Sequence, residues 1–213
     1  DSIFVTGNTV VDTLLYAVAK IQENSGLYAT FKDQFSFLDE QLKLILVTGH
    51  RRENFGEGFE NLCWALKRLS ERGDVQILYP VHLNPNVREP VYRILGECSG
   101  IYLVEPQDYL PFVYLMQKSF LIITDSGGIQ EEAPSLGKPV LVTRNTTERP
   151  EAVVAGTVKL VGTDEKNIVR EVQLLLDSTT AYDKMSSTQN PYGDGHAAEK
   201  IVNILTREKG CMQ

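Results

Sequence analysis

The sequence predicts a doubly wound α/β domain built on a parallel sheet. Three observations carry this prediction. Six short apolar runs recur along the chain without polar alternation, the pattern of strands buried on both faces. Segments with helical apolar spacing stand between them. The strand–helix order then repeats, and right-handed crossovers turn such an order into one sheet with helices on both sides.

Taken in order, Thr9–Ile21 opens as a helix. Ser25–Glu40 is polar and aromatic without a clear period, and reads as a connector over the surface. Leu42–Thr48 (LKLILVT) is the first strand. Gly58–Arg72 follows as a helix, with Phe59, Leu62, Cys63, Leu66 and Leu69 at near-helical spacing. Val75–Tyr79 and Ile101–Val104 are the next strands, then helix Tyr109–Lys118. Strand Phe120–Thr124 leads into helix Ile129–Leu136, and strands Pro139–Val142 and Thr157–Val161 follow. Asn167–Leu176 places Ile168, Val169, Val172 and Leu175 on one helical face, and Ala197–Arg207 closes the chain as a helix.

The 213 residues suit one large domain or two small ones. A hydrophobic share of 42% supports a core, and 23% charged residues is ordinary for a globular chain. The net charge of -7 argues against an extended basic face for nucleic acid. It leaves room for a local cluster of donors around a phosphate. Cys63, Cys98 and Cys211 are odd in number and form no C-x-x-C pair, which suits a reducing, cytoplasmic setting. No run reaches the roughly 18 apolar residues of a membrane span, and no secretory leader pattern opens the chain. The first residues lie inside an apolar stretch, Ile3-Phe4-Val5-Thr6-Gly7, as expected of a cut through a longer protein.

Ligands of open parallel sheets bind beyond the carboxyl ends of the strands. There the sequence places Gly49-His50-Arg51-Arg52, His82, Glu105–Phe112, Asp125-Ser126-Gly127-Gly128 and Arg144–Arg149. Ser126-Gly127-Gly128 has two readings. One is a phosphate site, since glycines permit close approach and a helix start offers free N–H groups. The other is an N-cap by Asp125 or Ser126 before a flexible turn. Neither a Walker loop nor a G-x-G-x-x-G fingerprint is present. Glu131 and Glu132 either complement a helix dipole or accept from ribose hydroxyls. His50, beside two arginines, suits a pyrophosphate contact or titration near neutrality, and also fits a solvated turn. Four arginines gather on this edge (Arg51, Arg52, Arg144 and Arg149), which favours an anion contact. His50, His82 and His196 lack metal-ligand spacing, so no metal site is expected.

Five blocks together resemble the bacterial non-hydrolysing UDP-N-acetylglucosamine 2-epimerases. They are Thr48–Gly56 (TGHRRENFG), Pro80–Val87 (PVHLNPNV), Thr124–Pro134 (TDSGGIQEEAP), Thr146–Ala152 (TTERPEA) and Asn190–Gly195 (NPYGDG). They occur in family order over nearly the whole chain. The resemblance implies one Rossmann-like half of a GT-B-type fold and the interconversion of UDP-N-acetylglucosamine and UDP-N-acetylmannosamine. That reaction eliminates UDP to an enzyme-bound 2-acetamidoglucal and adds it back, with no metal or redox cofactor. Carried across by position, Gln107 and Phe112 would contact uracil, partly through the backbone. Ser126, Gly127 and Gly128 would hold the pyrophosphate, Glu132 the ribose, and Arg149 the nucleotide. His50 would assist as UDP departs. Arg51 and His82 resemble positions that bind a second, activating UDP-N-acetylglucosamine.

The same resemblance divides the chain. Residues 1–40 would lead in from an N-terminal domain that carries the catalytic carboxylates. Residues 41–183 would form the UDP-binding domain, and 184–213 a C-terminal segment packing on that absent domain. A homodimer, a cytoplasmic location and a role in polysaccharide biosynthesis go with the family. Two rivals remain at this point: a GT-B glycosyltransferase half, and a non-catalytic UDP-sugar-binding domain.

Overall fold

A computed structural model describes residues 3–210, with side chains for residues 3–206. Its element order is α1 (Thr9–Glu23), α2 (Ser25–Gln34), β1 (Lys43–Thr48), α3 (Glu57–Ser70), β2 (Val75–Pro80) and α4 (Pro85–Leu95). Then come β3 (Ile101–Val104), α5 (Tyr109–Lys118), β4 (Leu121–Thr124), α6 (Gly127–Glu132), β5 (Val140–Val142) and α7 (Pro150–Ala155). The chain closes with β6 (Val158–Leu160), α8 (Glu165–Asp177), α9 (Thr179–Ser186) and α10 (Ala197–Gly210). All six strands pair in parallel, in the order β3-β2-β1-β4-β5-β6.

The six apolar runs are the six strands, and the reason they lack alternation is visible. Ile45 and Val47 of β1 face a core made with α3, α4 and α8. Leu44 and Leu46 face a second core made with α1, α2, α5 and α6. With helices on both faces, the central strands β1, β2, β4 and β5 are buried on both sides, and each large apolar side chain so buried contributes about 1.5–3 kcal/mol.

Ser25–Glu40 is not the expected connector. Its first ten residues form α2, capped by Asn24, whose side chain accepts from the Leu27 N–H at 2.9 Å. Leu27, Phe31 and Phe35 repeat every fourth residue and pack into the second core, where Phe35 stacks on Tyr114 at a centroid distance of 6.0 Å. The expected helix Ile129–Leu136 begins earlier and tightens after Glu132 into a 3₁₀ turn, Ala133–Leu136. Pro134 there has no N–H to continue an α-helical ladder. Three helices, α4, α7 and α9, lie in stretches to which the periodicity assigns no element.

The strand order reverses between β1 and β4, which are hydrogen-bonded neighbours with Thr48 opposite Thr124. The connection from β1 runs toward β2 and that from β4 toward β5, so their turns part and leave a crevice at the carboxyl edge. A cavity of about 530 Å³ lined by Phe35, Leu44, Gln76 and Tyr114 lies at the opposite edge, by the strand starts.

Candidate functional site

The crevice wall is built on Thr48 and Thr124, whose hydroxyl oxygens are 2.6 Å apart. Each is the last residue of its strand, so the bond pins the two turns where they diverge. Asp125 comes next and is wholly buried. Its Oδ2 accepts the backbone N–H groups of His50 at 2.9 Å and Arg51 at 2.8 Å. Asn54 Nδ2 approaches the same oxygen at 3.5 Å and donates to the Thr143 carbonyl at 3.1 Å. Asp125 therefore does not cap α6. The N-cap position belongs to Ser126, and its side chain makes no cap bond. That leaves the start of α6 open.

Above that start lie two cations. A Cβ built on Gly127 would stand 3.7 Å from Arg149 Nη2 and 3.8 Å from Arg51 Nη2. Gly127 thus forms the floor of a small space roofed by two guanidinium groups, and helix dipole and cations add in the same direction. Arg149 is held from the side by an ion pair with Glu131, whose other oxygen accepts from Asn8 Nδ2 at 2.9 Å. Arg51 is 3.9 Å from Glu148, and its Nε is buried without a hydrogen-bond partner.

Arg144 has a different task. It is 4% exposed, and its guanidinium donates to Glu53 Oε1 at 2.5 Å and to Glu148 at 2.6 and 2.9 Å. It ties the β1 turn to the β5 turn and has little left for a ligand. The Arg144 cation pulls the Glu148 pKa down to about 2.

His50 is half exposed, with Nδ1 3.5 Å from Asp125 Oδ1. Its ring stacks on His82 from the β2 turn, centroid to centroid 5.6 Å and 21° from parallel. Nδ1 of His82 accepts the Asn84 N–H at 3.1 Å. The two histidines that the sequence placed on one edge are thus in contact.

The third turn reaches the same wall through Tyr109, which sequence reasoning passed over. Its hydroxyl donates to Glu132 Oε1 at 2.7 Å. Glu132 is buried, and burial pushes its pKa up while the Tyr109 bond opposes the rise. Gln107 is steered by its Nε2 donating to the Glu105 carbonyl at 2.6 Å and its Oε1 accepting from Gln34 at 2.9 Å. Phe112 is half-buried in the first turn of α5, where its N–H is already bonded to the Asp108 carbonyl at 3.0 Å.

These features define a Rossmann-type domain with an arginine-lined crevice at its switch point, of the kind that forms one half of a GT-B fold. The family model for UDP-N-acetylglucosamine 2-epimerase matches residues 1–206. The chain is 57% identical to the UDP-N-acetylglucosamine 2-epimerase of Salmonella typhimurium over 206 residues, 96% of this chain and 55% of that protein. The Escherichia coli K12 enzyme of the same name is 57% identical over 208 residues, again 55% of its length. The Neisseria meningitidis UDP-GlcNAc 2-epimerase bound to UDP-GlcNAc superposes with a TM-score of 0.91 at 49% identity, over 96% of this chain and 55% of that one. The S. aureus MnaA–UDP co-structure gives 0.85 at 45% identity, over 98% of this chain and 55% of that one. The chain belongs to the UDP-N-acetylglucosamine 2-epimerase family and spans about half the length of the relatives it matches. A lipopolysaccharide glycosyltransferase, WaaG, shares the fold alone, with a TM-score of 0.58 at 18% identity.

Proposed function

We propose that this chain is the nucleotide-binding part of an enzyme that interconverts UDP-N-acetylglucosamine and UDP-N-acetylmannosamine by eliminating UDP and adding it back. The observation that carries this is the space over Gly127, where an open helix start and the guanidiniums of Arg51 and Arg149 converge. A diphosphate has the charge for it. Relatives of known structure hold UDP or UDP-GlcNAc.

In this reading Ser126, Gly127 and Gly128 cradle the diphosphate and Arg149 closes on it. Glu132 turns its carboxylate to the ribose, steadied by Tyr109, and Gln107 with Phe112 takes the uracil. His50 stands where charge grows on the β-phosphate as the bond to the sugar breaks. His82 and Arg51 would serve a second, activating UDP-N-acetylglucosamine. The Arg51 guanidinium lies over Gly127, so this residue is placed to feel both ligands.

The sugar would lie against a second α/β half carrying the carboxylates that move the C2 proton. That division sets residues 1–40 as a lead-in, 41–183 as the nucleotide-binding unit and 184–213 as a segment packing on the other half. The exposed Ile201, Val202 and Leu205 of α10 suit such packing. The whole protein would act as a cytoplasmic homodimer. Alone, this chain should bind UDP and leave C2 untouched, because abstraction and return of a proton on opposite faces need two positioned groups. Calorimetry with UDP, and NMR of UDP-N-acetylglucosamine in deuterium oxide, test both parts. Absence of UDP binding, or solvent deuterium at C2, would overturn the assignment.

A further inference from the structure

The buried carboxylate of Asp125 has one oxygen fully used and one unused. Oδ2 takes the two backbone N–H groups of the His50–Arg51 turn. Oδ1 is buried and has no hydrogen-bond partner. A buried carboxylate oxygen without a donor is costly. The His50 imidazole stands beside it, with Nδ1 3.5 Å away.

We infer that Asp125 is the positioning residue of His50: it holds a proton on Nδ1 and thereby leaves Nε2 as the nitrogen that exchanges protons. This rests on the reading of His50 as a group acting at the diphosphate. A free neutral imidazole does not choose one nitrogen firmly, and its hydrogen-bond partner decides. With Nδ1–H given to Asp125, a protonated Nε2 can release its proton to the β-phosphate oxygen as the bond to the sugar breaks. The N–H bond opens, an O–H bond forms, and a neutral imidazole remains. When UDP adds back, bare Nε2 recovers the proton from the same oxygen. Without an acceptor at Nδ1 the imidazolium is less favoured, and a neutral ring holding its proton on Nε2 cannot give it up without becoming an anion. Arg51, next in the chain, has no acceptor, and His82, stacked on the ring face, has its Nδ1 already taken by the Asn84 N–H.

The geometry gives a selective variant. In Asp125→Asn, the amide oxygen is required at the Oδ2 position by two backbone N–H groups. The amide NH₂ then falls at the Oδ1 position and donates to Nδ1, which forces the opposite tautomer. The turn stays pinned while the proton moves to Nε2.

The chain has three histidines, so nitrogen–proton correlation spectra are sparse enough to assign with single His→Gln variants. His50 is expected to show its neutral form protonated at Nδ1. His82, whose Nδ1 accepts from Asn84, should show the reverse in the same spectrum. Asp125→Asn should switch His50 to the Nε2–H form and leave His82 unchanged. In the full-length protein that variant should lose about 10²-fold or more in kcat, the scale of acid–base catalysis, with KM little altered. An Nε2–H tautomer for His50 in the unmodified chain overturns the inference, and that measurement does not depend on how the variant folds. An unchanged tautomer in a folded Asp125→Asn protein overturns it as well. His50→Gln separates the two readings: if its turnover is unimpaired, the role of His50 itself is wrong, whatever Asp125 does.

Discussion

Replacing Gly127 with Ala separates the unliganded fold from its ligand. The residue is the first of α6 and lies outside the positive-φ glycines, so an alanine needs no strained backbone there. Its methyl would meet Arg149 Nη2 at 3.7 Å and Arg51 Nη2 at 3.8 Å, ordinary contact distances. The empty protein should accept the change. Loss of glycine's extra freedom in the unfolded chain should even stabilise it by about 0.4–1 kcal/mol. For a chain of this size that is about 1–4 °C in Tm. The same methyl projects toward the two guanidiniums that the diphosphate is assigned to meet. Forcing the phosphate away from one charge-assisted hydrogen bond costs about 1.5–3 kcal/mol, or about tenfold to a hundredfold in Kd for UDP. Thermal melting and titration calorimetry read both numbers. A variant that binds UDP as tightly as the parent would refute the placement of the diphosphate over Gly127.

Gly49→Ala should behave oppositely, because its Cβ would lie 3.1 Å from the Tyr79 hydroxyl and 3.2 Å from the Phe59 ring. Overpacking of this kind costs about 1–3 kcal/mol and lowers the denaturant midpoint. Arg144→Met should lower Tm by several degrees by cutting the tie between Glu53 and Glu148. Carbon-detected titration should then show the Glu148 carboxyl climbing from about 2 toward the ordinary range. In the parent, the depressed Glu148 favours the fold above the ordinary carboxylate range and loses that effect as pH falls toward 2. Tyr109→Phe removes the one bond that opposes burial at Glu132, so the Glu132 pKa should rise further. Because that folded pKa is already raised, its contribution favours the fold at low pH and fades as pH rises through it. An unmoved Glu132 titration in Tyr109→Phe would show that the bond is absent in solution.

The sheet was legible because double burial removes alternation, leaving runs such as LKLILVT that few other environments tolerate. The crevice was legible because ligands of such a sheet bind beyond the carboxyl ends of its strands. The helix α2 was hidden by its polar composition, although Leu27, Phe31 and Phe35 carry a four-residue repeat. Helix α4 was hidden by Pro90, which sits buried inside it. Which arginines are tied up in internal ion pairs was not legible from residue type and spacing. Arg144 and Arg149 look alike in sequence, yet one is clamped by two carboxylates and the other reaches Gly127. Asp125 looked like a helix cap because it precedes Ser-Gly-Gly. Only the pairing of β1 with β4 turns its carboxylate toward a turn some 75 positions away.

Glu131 shows why these contacts matter beyond the crevice. A carboxylate in the last turns of so short a helix gains little from the dipole, and its structural bonds account for it better. Its side chain binds Arg149 on one oxygen and Asn8 on the other, and its carbonyl accepts from Asn190 Nδ2 at 2.7 Å. Asn8 caps α1 and donates its backbone N–H to the Tyr192 carbonyl at 2.7 Å. Asp12 in α1 then accepts the N–H groups of Ala197 and Ala198, at the start of α10. A continuous set of hydrogen bonds thus runs from the guanidinium over Gly127 to the two segments that lead toward the chain ends. An anion that draws Arg149 toward itself must weaken the ion pair with Glu131, and the bonds to Asn8 and Asn190 are the next to adjust. On the proposed reading, nucleotide occupancy and the seating of α1 and α10 would be linked through Glu131, and such a linkage would act in both directions.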